Sequence, residues 1–266
     1  MWIEVDGARA FANTGGRDFY PDLPAVVFVH GAGMDHTIWQ QQTRYFAHHG
    51  RSVLAIDLPG HGRSDGEPLA TISGLNDWLI ALLDVVGAET VAFVGHSMGA
   101  LAALETAARH PARVSALALL GATPEIPVHD DLLDAAEADD HMAVDLIVSW
   151  AHGQRTHKGG NIAPGIWLMG GGGRLLERGA PGVLGIDLKA CNDYADGLDA
   201  AAKVECPTLL LLGEADRMTP ARNAGPLEEA IADCRKIVLP EAGHMMTVEA
   251  PRETLKALHQ FIDAVA

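Results

Sequence analysis

The chain has 266 residues, 35 acidic against 19 basic, and a formal net charge of −16, enough length for one large domain or a core with an inserted subdomain. So acidic a balance opposes nucleic acid and anionic membrane surfaces. Cys191, Cys206 and Cys234 are odd in number and far apart, with no Cys-x-x-Cys pair, which argues against a disulfide framework or a structural zinc site.

Residues 1 to 13 read as two short strands joined at Asp6-Gly7, a hairpin signal. Glu4 and Asp6 stand where a signal peptide would be basic, and no apolar stretch is long enough to span a bilayer, so the expected setting is soluble, reducing and cytoplasmic. Ala25-Val26-Val27-Phe28-Val29 is an uninterrupted apolar run that ends in His30-Gly31-Ala32-Gly33, a glycine loop able to offer backbone N–H groups, before a helix around Ile38 to His48. Val53 to Ile56 is a further short strand. It runs into Asp57-Leu58-Pro59-Gly60-His61-Gly62-Arg63-Ser64-Asp65-Gly66, a dense cluster of turn formers. Leu75, Trp78, Leu79, Leu82 and Val86 recur at spacings of three and four, which predicts an amphipathic helix over 72–86 that stops at Gly87.

Val91 to Val94 is another apolar run, and it leads into Gly95-His96-Ser97-Met98-Gly99 and then a good helix former, Leu101 to Ala108. A serine between two glycines at a strand-to-helix turn is lifted clear of the sheet, while the new helix leaves unpaired N–H groups able to face an anion. Val114 to Leu120 is the next buried strand. Between Pro124 and Val204 the pattern turns helical, with acidic stretches around Asp130 to Ala138 and His141 to His152 and a helix near Leu188 to Tyr194. Gly170 to Gly173 reads there as a pliant segment or an ordinary long turn, the turn being favoured. The sheet resumes at Thr208 to Leu212, followed by a helix over Ala221 to Ile231, a strand at Lys236 to Leu239 and a helix over Pro251 to Val265.

Alternating helices and wholly apolar strands imply an α/β chain with a mostly parallel sheet covered on both faces, whose ligands gather at the carboxyl ends of the strands. The division that follows is a core of residues 1–123 and 205–266 with a helical insertion at 124–204.

A serine hydroxyl is a weak nucleophile at neutral pH and needs a base, which needs a partner to hold its tautomer. Of thirteen histidines, His244 in Gly243-His244-Met245 is the best placed base for Ser97, directly after a strand. His30 is read as a brace for its glycine loop, His61 as structural and His96 as pointing away from the site, while His48-His49 and the His152, His157 pair lack helical metal-ligand spacing. No metal or cofactor is expected. For the acid, Asp216 leaves the sheet at the same edge; Glu214 is a competitor two residues earlier, and Glu125 a weaker third choice. Backbone N–H groups of Ala32 and Met98 can serve a developing oxyanion.

These motifs, taken in order with Gly213-Glu214-Ala215-Asp216 and Gly243-His244, resemble the α/β-hydrolase superfamily, and within it the capped branch of esterases, lactonases and carbon-carbon bond hydrolases. The resemblance covers nearly the whole chain. It implies an eight-stranded α/β-hydrolase sheet, Ser97, Asp216 and His244 as a catalytic triad, Ala32 and Met98 as the oxyanion hole, and a helical cap inserted after the sixth strand. Epoxide hydrolases and haloalkane dehalogenases, which are similar, carry aspartate at the position of Ser97, so those activities are disfavoured. In the cap, Trp150, Trp167 and Met169, with Leu168, either line a substrate pocket or simply pack. No Lys and Arg cluster suits a coenzyme A or carrier-protein phosphate. The leading expectation is therefore a cofactor-independent serine hydrolase of a small, neutral or weakly polar carboxylic ester or lactone. The same triad could instead serve carbon-carbon bond cleavage or perhydrolysis, and a non-catalytic small-molecule sensor is the reading from another class.

Overall fold

The computed structural model describes residues 1–160 and 165–265. Its strands are β1 (Trp2–Val5), β2 (Ala8–Asn13), β3 (Ala25–Val29), β4 (Ser52–Ile56), β5 (Val91–His96), β6 (Val114–Leu120), β7 (Thr208–Gly213) and β8 (Cys234–Leu239). They form an eight-stranded sheet in the order β1-β2-β4-β3-β5-β6-β7-β8. The first pairings, β1 with β2 and β2 with β4, are antiparallel and every later one is parallel. Asp6 and Gly7 both take positive φ, 51° and 79°, which matches the right-handed twist of the hairpin they close.

The central strands read as continuous apolar runs because both faces of the sheet are covered. In β3, Val27 and Val29 join the core on one face while Val26 and Phe28 join the core on the other; β5 divides Phe93 from Val94 in the same way. Helices Ile72–Val86 and Met98–Arg109 pack together on the first face, and Gln40–Ala47 with Pro251–Val265 on the second. Gly87 ends its helix at φ 73°, in the left-handed conformation expected of a C-terminal glycine. Because β3 lies between β4 and β5, the chain leaves it at the point where strand order reverses, which opens a crevice at the carboxyl edge.

Among the described residues the regular elements between β6 and β7 are all helices: Asp130–Glu137, Met142–Ala151, Gln154–His157, Leu168–Glu177, Val183–Asp193 and Gly197–Ala201. The glycine run does not form a turn; Gly170 to Gly173 lie inside helix Leu168–Glu177. The physical reason is close packing. The helix packs on Met142–Ala151, and a Cβ on Gly172 would crowd the His152 ring at 3.2 Å, whereas one on Gly173 would make an ordinary contact with Val148 at 3.7 Å. The helix expected near Leu188 begins earlier, at Val183. Gly197–Ala201 packs on Met98–Arg109, on the core side, and a Cβ on Gly197 would strike the Pro124 carbonyl.

Candidate active site

Ser97 follows β5 directly and takes φ 55°, ψ −118°, a conformation that costs an L-residue about 1–3 kcal/mol and persists only where surroundings impose it. Here they do. A Cβ on Gly95 would lie 2.3 Å from the Gly99 carbonyl oxygen, and one on Gly99 2.4 Å from that of Val29, so both glycines are required by the contact of strand, turn and helix. The Ser97 N–H donates to Leu120 O at 2.9 Å, tying the turn to β6.

His244 and Asp216 are both buried, and they meet with Nδ1 2.8 Å from Oδ2. The loop after β7 folds so that Asp216 Oδ1 accepts from the backbone N–H groups of Met218 and Thr219, at 2.8 and 2.9 Å. The Thr219 hydroxyl donates to Asp216 Oδ2 at 2.8 Å and lies 3.1 Å from His244 Nδ1. Burial pushes the Asp216 carboxyl up, but the His244 charge and hydrogen bond together with the Thr219 donors prevail and hold it below its usual range. With Nδ1 turned to a carboxylate, Nε2 is the ring nitrogen left to exchange a proton. Thr219 escaped the sequence reading, although an Asp-x-x-Thr spacing ahead of Pro220 is a recognisable side-chain-to-backbone turn. Glu214 instead accepts from the Glu241 N–H at 3.0 Å, and Glu125 is exposed.

A cavity of ≈ 270 Å³ has Ser97 and Ala32 in its wall, together with Trp150, Leu188, Met218 and Arg217. Among the described residues neither the Ala32 nor the Met98 N–H meets a backbone acceptor outside regular structure. Trp167 and Met169 do not line this cavity. Trp167 is 73% exposed and borders two other hollows beside helix Leu168–Glu177, of which Met169 borders one. The helix that replaces the expected turn carries both away from Ser97.

His30, His96, His152 and His157 brace the backbone. His30 Nε2 accepts from the Leu58 N–H at 3.1 Å while Nδ1 faces Gly31 O at 2.9 Å, so it links the loops after β3 and β4; burial and the nearby His61 pull it down to about 4. His96 Nε2 donates to the His244 carbonyl at 2.9 Å, and burial with the His244 charge pulls it down to about 3. His152 and His157 each bond a backbone carbonyl. Asp35, His36 and Asp57 bring potential metal-ligand atoms within 4.8 Å of one another. Their oxygens are already engaged: Asp35 by Thr37 and Arg178, Asp57 by His36 and the Arg63 N–H. No described helix is long and apolar enough to cross a membrane.

A family model described as the alpha/beta hydrolase family matches residues 26–257. The 3-oxoadipate enol-lactonase 1 of Acinetobacter baylyi is 27% identical over 251 residues, covering 92% of this chain and 90% of that protein. The (E)-2-((N-methylformamido)methylene)succinate hydrolase of the same organism is 26% identical over 248 residues, covering 90% of each. Among solved structures, the enol-lactonase from Burkholderia xenovorans LB400 superposes with a TM-score of 0.88 at 21% identity, over 99% of this chain and 100% of that one.

Proposed function

The chain belongs to the alpha/beta hydrolase family, and from that premise we propose that it is a cofactor-independent serine hydrolase of small carboxylic esters or lactones. The observation that carries this reading is the buried His244–Asp216 pair at the edge where Ser97, held at φ 55°, opens on a cavity with Ala32. Ser97 Oγ attacks the substrate carbonyl as His244 Nε2 takes its proton; Asp216 holds the imidazole and stabilises the imidazolium that forms. The Ala32 and Met98 N–H groups receive the oxyanion, each worth about 2.7–4 kcal/mol where such donors have been removed. His244 returns the proton to the leaving alcohol or enol, then activates water to release the acid.

Ser97→Ala should abolish turnover of short p-nitrophenyl esters, and a fluorophosphonate should label the wild type once per chain and the variant not at all. Full turnover in the variant would refute the reading.

One observation refines the substrate class. Arg217 is exposed, borders the Ser97 cavity and forms no ion pair among the described residues, so the site offers a cation to a substrate carboxylate. The two Acinetobacter relatives are named for substrates of the dicarboxylic series. Within that class we therefore propose a lactone or ester carrying a free carboxylate, beside the neutral or weakly polar ester expected from the lack of a Lys and Arg cluster. Arg217→Gln should raise KM for such a substrate and leave that for its methylated analogue unchanged; equal KM changes would remove the refinement.

A further inference from the structure

A buried carboxylate in the helical insertion has no part in the chemistry above. Asp187, in helix Val183–Asp193, is 1% exposed. Its Oδ2 accepts from the Gly33 N–H at 2.8 Å and from His61 Nε2 at 2.8 Å. One side chain of the insertion thus grips two core loops at once, the one after β3 and the one after β4. His61 Nδ1 in turn faces Pro59 O at 2.9 Å. A carbonyl on one side and a carboxylate on the other leave both ring nitrogens as donors, so His61 carries the charge that balances Asp187.

The loop so held is the one that presents Ala32. Residues 31 to 34 form a turn closed by the Met34 N–H on Gly31 O at 3.2 Å, with Ala32 at negative φ and Gly33 at φ 64°, the pattern of a type II turn. Such a turn differs from a type I turn by a flip of its central peptide, here Ala32–Gly33, and Asp187 holds the N–H of that peptide. Packing points the same way: a Cβ on Gly33 would lie 2.9 Å from Leu184 and 3.1 Å from Leu176, both from the insertion. The turn is therefore seated on the insertion by a hydrogen bond and by apolar contact.

We propose that Asp187 is a positioning residue of the oxyanion hole, a carboxylate of the helical insertion that fixes the Ala32–Gly33 peptide and thereby aims the Ala32 N–H at the developing oxyanion. The oxyanion hole is then complete only when the insertion is seated on the core, which couples substrate enclosure to chemistry through one named hydrogen bond. This rests on the serine-hydrolase reading.

Two substitutions separate positioning from mere structural support. Asp187→Ala and Asp187→Asn both remove the charge partner of His61, but only Asn keeps an oxygen for the Gly33 N–H. For a short p-nitrophenyl ester, Asp187→Ala should lower kcat by about 10–100-fold with little change in KM. Its inhibition constant for phenylboronic acid, which mimics the tetrahedral intermediate, should rise in parallel, while Asp187→Asn should keep both within about threefold of wild type. Asp187→Leu, which fills the same space without an acceptor, replaces the alanine variant if that one does not accumulate. Wild-type kcat and boronate affinity in the folded Ala or Leu variant would overturn the proposal, as would equal losses in Asn and Ala. Turnover that survives Ser97→Ala would instead remove the reading beneath it, so the failures are distinguishable.

Discussion

Gly99→Ala puts one methyl group where the site has no room for it. The Cβ would sit 2.4 Å from Val29 O and 2.5 Å from His30 O, whereas real Cβ atoms essentially never come within 3.0 Å of a neighbour. At least about 0.6 Å must therefore open, and neither obstacle can give. Both carbonyls belong to the backbone at the end of β3, which is wholly buried and hydrogen-bonded between β4 and β5. The start of helix Met98–Arg109 must move instead, taking Ser97 and the Met98 N–H with it. Overpacking of this kind costs about 1–3 kcal/mol of stability. A displacement approaching 1 Å at the reacting atoms costs on the order of 100-fold in rate, so kcat should fall about 10–100-fold. The assay is p-nitrophenyl ester turnover with the rate of fluorophosphonate labelling, on protein shown to be folded by its thermal transition. Gly171→Ala is the control: nothing lies within 4 Å of its Cβ and it is inside helix Leu168–Glu177, so it should stabilise by about 0.5–1 kcal/mol and leave kcat alone. Folded Gly99→Ala with wild-type kcat and labelling rate would refute the reasoning.

Thr219→Val removes a hydroxyl that donates to Asp216 Oδ2 and touches His244 Nδ1, while the Thr219 N–H stays on Oδ1. A hydrogen bond to a charged group is worth about 1.5–3 kcal/mol, so kcat/KM should fall about 10-fold or more through kcat; an unchanged value would show that the backbone donors suffice. Stability should depend on pH through opposing histidines. His30 and His96 are held near 4 and 3 against 6.5, so below 6.5 the unfolded chain binds protons that the fold refuses, and acidification destabilises by up to about 1.4 kcal/mol per pH unit for each. His61 is raised: burial opposes its charge but the Asp187 bond prevails, so its contribution is complete below 6.5 and is lost as pH rises through its folded value. Urea midpoints across this range should show His96→Gln flattening the acid limb and Asp187→Asn flattening the alkaline one; parallel curves would refute the assignments.

Local chemistry made much of this protein readable from its residues. The apolar runs of β3 and β5 announce strands covered on both faces, because they are short, rich in Val and Phe and end in glycine loops. Gly87, Asp6-Gly7 and the Gly95 to Gly99 turn mark places where only small or left-handed residues fit, and the structure puts a helix end, a hairpin and the Ser97 turn there. Asp216 was legible against Glu214 only by placement, and tertiary structure separated them by giving His244 to one and the Glu241 N–H to the other.

Other features have no local signature. Four consecutive glycines favour a turn by propensity, yet they form a helix packed on Met142–Ala151, which keeps Trp167 and Met169 out of the wall of the Ser97 cavity. Asp187 is separated in sequence from Gly33 by 154 residues and from His61 by 126. Its neighbours along the chain say nothing of either partner. The sequence by itself determined where the strands of the sheet and the Gly95 to Gly99 turn lie, since those follow from residue size, hydrophobic period and backbone freedom within a few residues. Only the tertiary structure decided which polar groups share a buried bond, because such a bond depends on two distant segments arriving at the same point without water between them.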